Sequence, residues 1–142
     1  MARGRVDFSE FKEYVKNFQV AKADFERFLR GFLIEQAEAL IGRAKSRTPV
    51  GTPESTGKSG YIGGTLRASW QVGEVLFSGT EMQVEILNGA EYASHVEYGH
   101  ATRSGGWVDG RYMLTISMDE IQREMPARFD AAFKQWAAKR GL

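Results

Sequence analysis

The apolar positions change period along the chain, and the changes divide it into elements. Phe8, Phe11, Tyr14, Val15 and Phe18 recur at helical spacing. Asp7 and Glu10 stand before them with the spacing of a capping box. A short first helix ending near residue 18 is expected. A longer helix follows, carrying Phe25, Phe28, Leu29, Phe32, Leu33, Leu40, Ile41 and Ala44 on one stripe. Arg43, Lys45 and Arg47 fall in its last turns, where cations oppose the negative dipole end, and Pro49 cannot extend it. The helical region therefore spans about 8–47. From about 51 to 64 neither period is present, so a polar, flexible loop is expected. Leu66, Ala68, Trp70 and Val72 then alternate with polar residues, and beyond Gly73 the apolar parity moves to Val75 and Phe77, as a bulge would produce. Ser78-Gly79-Thr80 reads as a turn and Met82, Val84 and Ile86 as a second strand, giving a hairpin over about 65–88. Asn88-Gly89 breaks it. Tyr92 and Val96, four apart, favour a short helix over a third strand at about 90–98, with an exposed loop over about 99–110. Met113, Ile116, Ile121, Met125, Phe129, Phe133 and Trp136 form a last helix, about 112–139, in which Pro126 predicts a kink or break near Glu124 and Met125. The pattern is that of an α+β fold: a long N-terminal helix and a kinked C-terminal helix packed on a small antiparallel sheet built around a β-hairpin. A hairpin alone is marginal in water, and the long helix supplies the covering face.

With 142 residues one domain is expected over 1–142, and 42% hydrophobic content suits one core. Nineteen basic and 18 acidic residues leave a net charge of +1, so no strong global field favours nucleic acid or an anionic membrane. The absence of cysteine removes disulfides, thiol nucleophiles and thiolate metal sites, and agrees with a reducing compartment. MARGRVDFSE is followed by no apolar run, so no signal peptide is expected, and no apolar stretch is long enough to span a bilayer.

Candidate chemistry is sparse. Gly57-Lys58-Ser59 has the end of a phosphate-binding loop, but the first glycine of that motif would fall on Thr52. The preceding segment also reads as the end of a helix, whereas a phosphate loop follows a buried strand and opens a helix. His95, Glu97 and His100 hold the histidines nearest a carboxylate, but not at the spacing of a zinc protease. Neither Ser69 nor Ser94 lies in a nucleophile elbow, and no carboxylates pair as an acid and base set. No catalytic residue, cofactor or metal is expected. Arg67 would project opposite Leu66 and Trp70. As arginine and aromatic residues are enriched at interface centres, Arg67 and Trp70 are candidate anchors, with Tyr92, Tyr98 and Trp107.

Four segments in order, AKSRTPVGT, GGTLRASW, NGAEYASHVEYGH and GRYML, carry a resemblance. Thr48-Pro49-Val50, then Gly64, Leu66, Arg67 and Ser69, then Tyr92, Ala93, Val96, Glu97, Tyr98 and Gly99 resemble the motifs of the small neck and tail-completion proteins of long-tailed bacteriophages and prophages. The similarity covers about residues 43–118. Two departures stand out: PESTGKSGYIG is inserted between the first two motifs, and His100 stands where the family commonly has threonine. The insert explains the glycine-rich stretch as a lengthened loop rather than a nucleotide cradle.

The resemblance implies a non-enzymatic structural subunit of the neck or tail terminus, in a virion or tail-like particle assembled in the host bacterial cytoplasm. It implies a homo-oligomeric ring of about six or twelve copies, closed by head-to-tail contacts. Implied partners are neck or connector proteins and tail-tube or sheath proteins, with weak contact to DNA in the lumen and none with a membrane. Arg67, Trp70, Tyr92, His95, Glu97, Tyr98, Trp107 and Arg111 are the expected interface, and Thr52, Lys58 and Tyr61 belong to a loop expected to order on assembly. The alternatives are a nucleotide- or nucleic-acid-binding module using Gly57-Lys58-Ser59 and the basic cluster at 43–47, and a metal hydrolase using His95, Glu97 and His100.

Overall fold

Between Phe18 and Phe25 the chain reads QVAKAD, with neither glycine nor proline and with alanine and lysine among the better helix formers. Nothing there stops a helix. In the computed structural model, which describes residues 9–52, 55, 57, 59–60 and 63–142 with backbone alone at 9–15 and 18, α1 accordingly runs without interruption over Ser9–Arg47. Its 39 residues span about 58 Å at 1.5 Å per residue. The expected boundary near residue 18 is absent. The capping box at Asp7 and the apolar stripe beginning at Phe8 involve positions outside the described residues and side chains.

The alternating pattern expected from Leu66 starts later. Thr65–Ala68 forms a short helix, α2, and β1 (Trp70–Phe77) begins only at Trp70. Leu66 and Trp70 are four apart, a spacing that also suits a helical turn, and both are buried. The turn is held by Ser69 Oγ donating to the Thr65 carbonyl at 2.6 Å and by Asn88 Nδ2 donating to the Leu66 carbonyl at 2.9 Å. β2 (Met82–Asn88) pairs antiparallel with β1 from Trp70↔Asn88 to Phe77↔Met82, through a turn in which Ser78 N–H donates to the Glu81 carbonyl. The register shifts between Val72 and Val75, so Gly73 and Glu74 share the span opposite Glu85. This is the bulge that the parity change foretells, and it keeps Val72 and Val75 on one face with Ile86 and Val84. A Cβ on Gly73 would sit 3.0 Å from Glu85 Cβ, which explains why the smallest residue occupies the bulge.

The segment after Asn88 follows the helical expectation: α3 spans Ala93–Tyr98. The next segment is not a plain loop. β3 (Gly99–Ala101) and β4 (Trp107–Asp109) pair antiparallel as a second, smaller hairpin. α4 then covers Met113–Ala138 and continues through Pro126, so the expected break does not occur. Proline removes one amide donor, but contacts with α1 hold the helix on both sides of it. Before it, Arg43 binds Glu124; after it, Phe129 packs edge-on against Phe32 at 5.5 Å between ring centroids.

The result is an α+β fold of two long helices lying along each other, with two separate two-stranded sheets. One end of the helix pair is aromatic: Phe25 and Phe28 meet Trp136 at 5.4 and 5.5 Å. At the other end Ile41, Ala44, Leu66, Trp70 and Met113 form a buried cluster, joined by Val72, Ile86, Ala93, Val96 and Leu114. Each large side chain buried there contributes about 1.5–3 kcal/mol. That cluster fixes the first hairpin, α3 and the start of α4 against the C-terminal end of α1.

Candidate functional site

The chain turns out of α1 at Thr48, a residue 1% exposed. Its hydroxyl donates to the Ala44 carbonyl at 2.6 Å and accepts the Trp70 indole N–H at 2.9 Å. Its carbonyl accepts from Arg67 Nη2 at 2.7 Å. One residue therefore ties the end of α1 to both α2 and β1. Of the two expected anchors in this segment, Trp70 is interior at 6% exposure. Arg67 lies at the surface, but its guanidinium is bonded within the subunit.

Glu97 is likewise interior, 5% exposed. Its carboxylate accepts from the backbone N–H of Leu114 at 2.9 Å and of Thr115 at 2.8 Å, and from the Thr115 hydroxyl at 2.7 Å. The first amides of a helix lack partners within it, and a carboxylate near them is favoured by the dipole as well. Tyr112, the residue at the cap position, offers no side-chain bond and has φ 48°, left-handed backbone. Glu97 supplies the cap from 17 residues upstream. Close backbone approach makes this possible. A Cβ on Gly110 would fall 2.3 Å from the Glu97 carbonyl oxygen, and one on Gly99, where φ is 87°, 2.6 Å from the Val108 carbonyl oxygen. The Tyr-Gly motif thus needs its glycine for the packing of β3 and β4 against the end of α3.

On this braced base the aromatic side chains point outward. Tyr98 and Trp107 are each 62% exposed, and Tyr92, Val108 and Tyr112 are also exposed. Arg111, whose backbone N–H donates to the Val96 carbonyl at 2.7 Å, lines an open cleft of about 390 Å³ with Pro49, Val50, Tyr92 and Val96. The second and third motifs of the sequence thus meet with the Thr-Pro-Val turn around one concavity. His95 and His100 lie with ring centroids 5.4 Å apart. Glu97 is turned away from them into the α4 cap, so the three do not converge on a common point. Among the described residues no group of three or more His, Cys, Asp or Glu side chains is placed to hold a metal.

The loop residues divide. Thr52 and Ser55 form a local turn, with Thr52 N–H donating to Ser55 Oγ at 2.8 Å and Ser55 N–H to Thr52 Oγ1 at 3.2 Å. Lys58 and Tyr61 lie outside the described residues. The elements flanking the loop are α1 before it and the four-residue α2 after it, not the strand and long helix that cradle a phosphate.

Sequence reasoning placed Arg43 and Arg47 at a helix end, but missed their partners. Arg43 binds Glu124 through both nitrogens, at 2.6 and 3.0 Å, and Arg47 binds Glu120 at 2.7 Å and donates to the buried Ser117 hydroxyl at 2.9 Å. The hydrogen bond from Arg43 holds the Glu124 carboxyl below its ordinary range, with desolvation opposing. At the far end Arg140 bonds to Asp24, lowering that carboxyl in the same way, and lies over the Trp136 ring at 4.3 Å. The signal was present in the sequence as two i,i+4 pairs of opposite charge, Arg43/Arg47 and Glu120/Glu124.

The family model described as "Bacteriophage HK97-gp10, putative tail-component" matches residues 10–99. No curated protein and no solved structure matches the chain.

Proposed function

Because the chain belongs to the HK97-gp10-like family of bacteriophage tail components, we propose that it is a non-enzymatic subunit of the neck or tail terminus that works as a homo-oligomeric ring joining or completing head and tail. The exposed aromatic group carries this reading. Tyr92, Tyr98, Trp107 and Tyr112 are displayed on a backbone held by the Glu97 cap, and Arg111 stands among them. Large rigid aromatics with an arginine are the composition of a protein interface centre. A solvated surface gains nothing from that arrangement, whereas a neighbouring subunit or tail protein would bury it. Among the described residues no helix is long and apolar enough to cross a membrane, which agrees with a virion-associated role.

The decisive measurement combines purified protein with tails and with heads lacking it, followed by negative-stain microscopy and light scattering. The expected result is density for several copies at the head–tail junction or the tail end, lost on Trp107→Ala combined with Tyr98→Ala. A chain that remains monomeric and decorates neither particle would overturn the proposal.

A further inference from the structure

We propose that residues 2–8 of one copy add to the free edge of β2 in another copy as a third strand, laying alternate side chains into the groove beside it. The inference rests on the self-association proposed above and adds the segment and the edge that make the contact. β2 pairs with β1 alone, so alternate residues of β2 turn their N–H and C=O groups away from the sheet. Among the described residues no other backbone group bonds to them. Open edges are usually blunted by a bulge, a proline or a lysine. β1 carries the bulge at Gly73 and Glu74, whereas β2, MQVEILN, has none of these devices. The edge of β2 borders a groove of about 140 Å³. Ala37 and Leu40 of α1 form its floor, Val84 and Ile86 one wall, and Met118 and Met125 of α4 the other. No charged side chain and no residue of β1 lines it. Two helices thus lie under a sheet only two strands wide.

An extended segment fits this place, because the donors and acceptors of a strand edge are satisfied by another extended backbone. A second copy of the hairpin would bring its own α1. Strands stand about 4.8 Å apart and packed helices about 8–10 Å, so α4 already fills the layer that helix needs. The added strand must come without a helix beneath it. Residues 2–8, ARGRVDF, precede α1 and lie outside the described residues. Ala2, Gly4, Val6 and Phe8 share one parity, and Arg3, Arg5 and Asp7 the other. Set antiparallel to β2 with Arg5 opposite Glu85, they place Phe8 beside Met82, Val6 beside Val84 and Gly4 beside Ile86 on the side facing the helices. On the outer side Asp7 lies opposite Gln83, and Arg3 opposite Leu87, diagonal to Glu85. Glu85 is exposed and has no charged partner among the described residues. Reach assigns the segment to another copy. The groove begins at Leu33, about 36 Å along α1 from Ser9 at 1.5 Å per residue. Seven extended residues span at most about 25 Å, so they cannot lie along their own β2.

The chain has no cysteine, which makes crosslinking specific. Val6→Cys and Val84→Cys are made in separate full-length chains, mixed and oxidised. Cross-strand neighbours come within disulfide reach, so mass spectrometry is expected to find the mixed crosslinked dimer. Val6→Cys mixed with Leu76→Cys, on the other strand, is expected to give none. Deleting residues 2–8 is expected to leave a chain that is folded by circular dichroism and sediments as a monomer. Arg5→Glu and Glu85→Arg should each weaken association about two- to fivefold, and R5E/E85R should restore it. No mixed dimer, or association that survives the deletion, overturns the contact and leaves the ring to be closed elsewhere. A monomeric wild type overturns both. A crosslinked chain that decorates neither heads nor tails keeps the contact and removes the tail role.

Discussion

The Trp70 indole N–H donates to the Thr48 hydroxyl across 2.9 Å of buried space, and that hydroxyl donates onward to the Ala44 carbonyl. This chain of two bonds explains why a threonine ends the long helix and why a tryptophan opens the first strand. Each satisfies a polar group that burial would otherwise leave bare.

Replacing Thr48 with valine keeps the shape and removes both bonds. The Trp70 N–H would then be buried without an acceptor, and stability should fall by about 1–3 kcal/mol. Serine at the same position should lose less. Urea unfolding followed by tryptophan fluorescence measures both.

Glu97 should behave as a helix cap rather than as an interface residue or a metal ligand. Glu97→Gln puts an amide group where two backbone N–H donors and a hydroxyl now meet a carboxylate. A loss of about 1.5–3 kcal/mol is expected, the range for hydrogen bonds to a charged group. It should appear in chemical denaturation together with faster hydrogen exchange at the first amides of α4. An unchanged unfolding midpoint would exclude the capping role.

Gly110→Ala should damage the same region through the backbone. The added methyl would lie 2.3 Å from the Glu97 carbonyl oxygen and 2.7 Å from the Tyr98 carbonyl carbon, neither of which is a flexible group. The backbone shift should cost about 1–3 kcal/mol. Alanine at Gly89, where a Cβ meets nothing within 4 Å, provides the control.

Acid should loosen the helix pair. Glu124 and Asp24 have folded-state pKa values below their ordinary ones, through hydrogen bonds from Arg43 and Arg140. The folded state therefore binds fewer protons than the unfolded chain once pH nears the carboxylate range. The stabilisation is complete above about pH 5 and is lost as pH falls through the ordinary carboxylate values near 4 and then through the lowered folded values. Urea midpoints measured between pH 7 and pH 3 should drop on that limb, and Glu124→Gln should shallow it.

The elements with strong periodicity were legible in the chain. The stripe from Phe25 to Ala44, the parity change at Gly73 and the turn at Ser78-Gly79 each appear where the pattern put them. Elements resting on short or shared patterns were not. Leu66 and Trp70 suit a strand and a helical turn equally, and bonds from Ser69 and Asn88 select the turn. Pro126 lowers helix propensity locally, but the ion pair at Glu124 and the ring contact at Phe129 outweigh one lost hydrogen bond. The second hairpin carries only three paired positions, too few for a period to show.

The candidate surface divides along the same line. Residue types and their order along the chain mark Tyr98, Trp107 and Arg111 only as docking candidates, because aromatic and arginine side chains are enriched at interface centres, and the structure adds that all three are exposed. Whether each is exposed depends on neighbours far away in sequence. Trp70 and Glu97 stood among the same candidates, yet Thr48 and the first amides of α4 draw them inside. Local pattern determined the long helices, the bulged hairpin and the family motifs, since these follow from side-chain spacing alone. Only the tertiary structure decided which polar groups were buried and paired, because a hydrogen bond across 17 or 70 residues leaves no period in the chain.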